Sequence, residues 1–250
     1  MRYYFIFFFT LFVTLSCSSK RSIVYLQNDL QEFSNNYDEY KIAIDDILKI
    51  DVEVQDPDIN IVLKNNSNSA IASSKDSFLY NGYQVNTDGK IHYPGFQGIY
   101  VRGLSINELR DKLKNLFTEN GIFINPSIDI KLLNAHFTIL GEVSRPGRYD
   151  FTKNNMNILE ALGMAGDLTI TGNRKNIKLI REIDGNKFIY GFDLTDSNIL
   201  NSQNYQILSR DIIIVNPNST RIKNAGIIGN SGTLLSLLSF ILSSIIVINS

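Results

Sequence analysis

Hydrophobic patterning divides the chain into three parts: an apolar run at each end and a middle of short alternating stretches separated by turn residues. Leu48-Lys49-Ile50-Asp51-Val52-Glu53-Val54 alternates with period two, which predicts a strand with Leu48, Ile50, Val52 and Val54 on one face. Tyr40 to Ile44 predicts a strand before it, joined through Asp45-Asp46 as a solvated turn. Residues 64–77 are rich in Asn and Ser and read as a loop. Asp88-Gly89 marks a hairpin turn ahead of Lys90-Ile91-His92-Tyr93. Ile106, Leu109, Leu113, Leu116 and Phe117 then recur at helical spacing. Ser105 and Glu108 form the capping-box spacing at the start of that helix, and Asn120-Gly121 ends it. Ile128-Asp129-Ile130-Lys131-Leu132 returns to period two.

A second set of elements begins at His136. Phe137 to Leu140 predicts a strand leading into Gly141-Glu142-Val143. Pro146-Gly147 fits the two central positions of a type II turn, with glycine taking the positive φ. Arg145 and Arg148 flank that turn. With Pro146, Gly147 and Tyr149 they are the candidate contact for an anionic ligand or a neighbouring subunit, against a blander reading as solvated turn charges. Asn157 to Ala165 predicts a short helix, capped by Gly166. Ile177 to Ile180 and Lys187 to Tyr190 flank Asp184-Gly185 as a hairpin, and Asp211 to Val215 predicts a closing strand. The fold class that follows is α+β: two small mixed modules, residues 39–134 and 135–217.

The ends carry a different message. Arg2, the apolar run Tyr3 to Val13 and a polar exit describe a signal peptide over residues 1–16. Seven of the 15 Phe and 12 Tyr lie in residues 3–12. Ser16-Cys17-Ser18-Ser19 resembles a bacterial lipoprotein processing site, with Thr14 and Leu15 where a Leu is usual three places before the cysteine. Cys17 is then the lipidation site, and residues 17–38 a polar tether. At the other end, Ile227 to Ile248 approaches the ~20 residues that cross a bilayer, which predicts a transmembrane helix within 225–248. Gly229, Gly232, Thr233, Ser236, Ser239 and Ser243 share one face of it. That face suits close helix packing or the lining of a pore; a plain anchor whose serines bond their own carbonyls suits it too.

Composition narrows the chemistry. Lys and Arg number 24 against 25 Asp and Glu, a net charge of -1, which argues against nucleic acid as a partner. One cysteine excludes a Cys-rich zinc site, two histidines leave few positions for a His-based one, and no metal or cofactor is expected. No phosphate-binding glycine loop and no nucleophile elbow occurs. His92 and His136 have no partner at metal spacing and read as structural. The chain is therefore not expected to be an enzyme.

The order of these segments resembles the outer-membrane polysaccharide export proteins. Tyr40 to Val54, Val85 to Pro94 with Gly95, Gly98, Val101 and Gly103, and the helix to Leu116 resemble the family's export domain. Gly141-Glu142-Val143, Pro146-Gly147, Tyr149, Ile158 to Gly166 and Asp211 to Val215 resemble its soluble ligand-binding β-grasp (SLBB) module. The resemblance implies a subunit of an oligomeric conduit for capsular or exopolysaccharide, its body in the periplasm and its lipid in the outer membrane. It also implies a ring of about eight copies and an inner-membrane polysaccharide copolymerase or tyrosine autokinase as partner. A membrane-anchored glycan- or protein-binding scaffold lipoprotein without a pore is the alternative.

Overall fold

The run that begins at Ile47 forms β1 (Ile47–Glu53), the middle strand of a three-stranded antiparallel sheet. In the computed structural model, residues 23–28, 39–55, 82–153, 155–183, 185–224 and 231–248 are described. The signal peptide 1–16, Cys17, most of the 17–38 tether, the loop 64–77 and Gly229 lie outside them.

β2 (Tyr83–Gln84) pairs with the start of β1. β3 (Lys90–Ile91) and β4 (Ile99–Tyr100) make a separate ribbon. α1 (Ile106–Glu119) follows, and β5 (Ser127–Leu132) then runs back along β1. Leu48 lies opposite Leu132, Ile50 opposite Ile130 and Val52 opposite Ile128, so the two period-two patterns share one face. Leu109, Leu113 and Phe117 of α1 are buried against that face, together with Ile42, Val85 and Ile91. On the outer face Lys49 lies opposite Lys131 and Asp51 opposite Asp129. Such like-charge pairs repel. Each lysine instead bridges the aspartate two places along its own strand, at 2.7 Å and 3.0 Å.

The capping box is formed as the sequence indicates. Glu108 N donates to Ser105 Oγ at 3.2 Å, and Ser105 N donates to Glu108 Oε2 at 2.6 Å. The segment 40–44 departs from expectation. It makes one isolated bridge, Lys41 to Ser105, because Ile42 turns into the core and its N–H donates to Leu104 O.

The second module is a five-stranded sheet. β6 (His136–Gly141) and β7 (Gly147–Asp150) are antiparallel neighbours. β8 (Met156–Asn157) leads into α2 (Ile158–Met164). β9 (Gly172–Ile183) and β10 (Asn186–Phe192) form a long hairpin with Ile183 opposite Asn186, and Gly185 takes φ +79. A 3₁₀ turn at Ser197–Asn201 and β11 (Gln206–Ile207), which pairs with β8, precede β12 (Ile212–Pro217). The sheet order is β10-β9-β12-β6-β7, with β12 parallel to β6. Phe137, Ile139, Ile158, Leu162, Ile177, Leu179, Ile213 and Val215 form the core between sheet and helix. Inside this module Arg181 meets Asp211 through two hydrogen bonds, Nε to Oδ1 at 3.0 Å and Nη2 to Oδ2 at 2.7 Å. Both side chains are buried, so the pair fixes the start of β12 against β9 with little screening by solvent.

The C-terminal part corrects the transmembrane expectation. α3 (Ser219–Asn224) is followed by α4 (Ser231–Ile248). Among the described residues no helix is long and apolar enough to cross a membrane. α4 has 18 residues, and a rise of about 1.5 Å each gives about 27 Å, short of the ~30 Å hydrocarbon core. Serines also interrupt its apolar surface. Ser239 Oγ donates to Ser236 O at 2.9 Å, and Ser243 Oγ to Ser239 O at 2.8 Å. These hydroxyls are engaged with their own helix. Gly232 and Thr233 lie in its first turn.

Candidate functional site

The loop between β6 and β7 carries the candidate contact residues. Gly141 takes φ +92, and a Cβ there would lie 2.1 Å from Val215 O. Only glycine lets β6 end this close to β12. The chain then folds over the end of α2. Ser144 N donates to Asp167 O at 3.0 Å, and Arg145 N to Ala165 O at 2.9 Å. Ser144 Oγ donates to Gly166 O at 2.7 Å and Arg145 Nη2 to Met164 O at 3.1 Å. Met164 and the C-cap Ala165 end the helix, and their carbonyls take donors from outside it, which the loop supplies. Arg145 therefore holds a helix C-terminus, and its cation lies where that end of the helix dipole favours it.

The type II turn at Pro146-Gly147 is not formed. Gly147 opens β7, opposite Ile139, and its φ is not in the left-handed region. The positive φ falls at Gly141, because the close approach to Val215 sets where the chain must bend. Tyr149 donates its hydroxyl to Arg145 O, and its ring stacks on Phe137 with centroids 5.6 Å apart. Arg148 makes an exposed bridge to Asp150 at 3.3 Å. Of the five candidates, Arg145 and Tyr149 thus build the loop, while Pro146 and Arg148 form its exposed surface.

The junction of the modules holds a polar cluster that the sequence did not reveal. Asp46 was expected to be solvated and is 1% exposed. Its carboxylate accepts from Ala43 N at 2.9 Å, from Tyr40 Oη at 2.7 Å and from Arg210 Nη2 at 2.9 Å. Arg210 Nη2 also donates to Ile44 O, and Arg210 N to His136 O. Arg210 belongs to the second module and Asp46 to the first. Burial pushes the Asp46 carboxyl above its usual range, against the lowering effect of Ala43 N–H, Tyr40 and Arg210. Burial and the adjacent carboxylate push the Tyr40 phenol up as well. His136 lies beside this junction, its Nδ1 2.8 Å from Asn134 O. His92 is exposed.

Residues 23–28 form a third constellation. Within the expected tether, they are docked on the second module. Leu26 N donates to Leu194 O at 3.1 Å and Gln27 N to Thr195 O at 2.9 Å. Asn28 Nδ2 donates to Asp196 Oδ1 at 2.6 Å. Tyr25 donates to Asp167 Oδ1 at 2.5 Å, and Arg174 lies over its ring at 5.5 Å. Arg174 is itself held by Gly172 O at 3.2 Å. Burial and Asp167 push the Tyr25 phenol up, so it stays a donor.

Two α+β modules are joined through the ion pair of Arg210 with the buried Asp46, and a leading segment is strapped across the second. Residues 34–133 match the polysaccharide biosynthesis/export protein family, and residues 136–190 match the SLBB domain. The chain is thus similar to polysaccharide biosynthesis/export proteins over its first module and to SLBB domains over its second. Among its relatives is the EPS I polysaccharide export outer membrane protein EpsA of Ralstonia nicotianae (strain ATCC BAA-1114 / GMI1000), 32% identical over 104 residues. The protein of the same description from Ralstonia solanacearum is 30% identical over 104 residues. Each alignment covers 40% of this chain and 27% of the relative, so the chain spans about a quarter of their length.

Proposed function

We propose that the chain is a subunit of a polysaccharide exporter at the outer membrane. The order of the two matched modules carries this reading, an export domain followed by an SLBB domain in one chain, and the relatives described as polysaccharide export outer membrane proteins support it. Capsular or exopolysaccharide is the substrate. The body lies in the periplasm, held by lipid on Cys17, and several copies assemble around the polymer's path. A body of this size does not enclose a channel alone, so oligomerisation is part of the proposal. An inner-membrane polysaccharide copolymerase or tyrosine autokinase is the partner that delivers the polymer.

Deleting the gene in its own bacterium tests the reading. Surface polysaccharide should fall and polymer should build up inside the envelope, and the intact gene should restore export. Unchanged surface polysaccharide would overturn it. The anchor is tested separately, since Cys17→Ala should abolish labelling by a fatty-acid analogue.

A further inference from the structure

The strap and the chain that leaves β12 meet the second module at the same loop. Tyr25 of the strap rests on Asp167 and Arg174. On the exit side, Asn218 N donates to Thr171 O at 2.7 Å, and Asn218 Nδ2 donates to Ile170 O at 3.3 Å. Arg221 of α3 reaches Glu142 at 3.4 Å, and Glu142 also accepts from Thr171 at 2.5 Å. The loop 167–172 is thus met from one side by the chain that leads back to Cys17. From the other it is met by the chain that leads on to the apolar α4.

The same region shows apolar side chains to solvent. Ile170 is 71% exposed and Ile222 62%. Val24 is 44% exposed and Ile23 37%, on the strap just ahead of Tyr25. These four branched aliphatic residues face water beside the strap and the exit to α3, and chain length says what lies within reach of them. Ile23 is six residues from Cys17. An extended chain spans at most ~3.6 Å per residue, so ~22 Å is the greatest separation. Lys20 and Arg21 lie on that short stretch and favour anionic headgroups.

We infer that the loop 167–172, the start of α3 and the strap residues Ile23 and Val24 form a surface that rests on the lipid bilayer, with Ile170 and Ile222 at the headgroup–acyl boundary. This rests on the lipid-anchor reading of Cys17. The strap is then a spacer of fixed length: it holds the second module, not the first, against the membrane.

The test uses the full acylated chain, whose only native cysteine is the proposed lipid site. Cysteine is introduced singly by Ile170→Cys, Ile222→Cys and, in the first module, Ile124→Cys, where the native side chain is 88% exposed. Each is labelled with an environment-sensitive fluorophore. The proteins are then placed on vesicles of phosphatidylethanolamine and phosphatidylglycerol carrying brominated acyl chains. The expected result is at least a twofold quenching at positions 170 and 222 and none at 124. Absence of quenching at 170 and 222 overturns the proposal. So does a blue shift there without quenching, which would mean that another copy of the chain covers them. Mass analysis of the same samples reports acylation of Cys17 independently. A non-acylated protein still quenched at 170 and 222 would keep the surface and remove the anchor.

Discussion

Arg210 and Asp46 lie 164 residues apart in sequence and meet at 2.9 Å across the junction of the two modules. Asp46 is buried and Arg210 half-buried, and Arg210 takes φ +73, a conformation that favours glycine. Strained backbone at an arginine is maintained here by the contacts its side chain makes.

Arg210→Ala should cost about 1–3 kcal/mol, because it leaves a buried carboxylate without its cation. Arg210→Gly should cost about 1 kcal/mol less, since glycine accepts the φ. Thermal unfolding is the measurement. In Arg210→Ala the two modules should separate into distinct transitions; one unchanged transition would remove the coupling.

The capping glutamates set a pH dependence. The Ser105 N–H and Lys41 hold Glu108 below its ordinary 4.5, and Lys153 and the Asn157 N–H do the same for Glu160. The unfolded chain binds protons at these groups more readily than the folded one. Their stabilisation is present above 4.5 and is lost as pH falls through the lowered values. Asp46 and Asp211 have the opposite sign, since burial holds both above 3.8 and their contribution falls as pH rises through that range. Melting temperatures between about pH 6 and about pH 3 should therefore drop less steeply in Glu108→Gln and Glu160→Gln than in the native chain.

Gly141 and Gly147 make opposite predictions although only six residues separate them. Gly141→Ala forces a Cβ into Val215 O at a positive φ, and should cost at least about 3 kcal/mol. Gly147 has nothing within 4 Å of its would-be Cβ, and Gly147→Ala should stay within about 0.5 kcal/mol. Circular dichroism melts distinguish them directly. A larger loss at Gly147 would restore the Pro-Gly turn as the critical bend.

Arg145→Ala should lose about 1 kcal/mol through the α2 C-terminus. Arg148→Ala should change stability by less than about 0.5 kcal/mol, as its bridge is exposed. If Arg148→Ala nevertheless reduces polysaccharide export, the loop surface contacts a ligand or a neighbouring subunit. Denaturant titration and export assays on the same two variants separate these roles.

What was legible in the sequence is what depends on neighbours a few residues away. The Ser105 capping box, the apolar face of β1 and that of β5, each within its own strand, and the hairpin of β9 with β10 all follow from local spacing. Asn157 and Glu160 have the same spacing, and their box at the start of α2 was open to the same reading. Asp46 was misread because its partner is remote, and nothing beside it signals Arg210. Arg181 and Asp211 are 30 residues apart and equally silent. Pro146-Gly147 was misread because turn preference is local, whereas the approach of β12 to Gly141 decides the bend. At the C-terminus hydropathy indicated a span, but among the described residues no helix is long and apolar enough to cross a membrane, and α4 carries serines bonded to itself.

The strap also orders events in time. Tyr25 bonds Asp167, 142 residues further on, and Ser197 bonds Asn28 across 169. Synthesis delivers these strap residues first, yet they have nothing to dock on until the second module exists. The first module can close on its own local contacts meanwhile. Contacts of such long sequence separation form slowly. Final docking of the strap is therefore a late step, and a chain cut short before residue 194 would leave this leading segment without its seat.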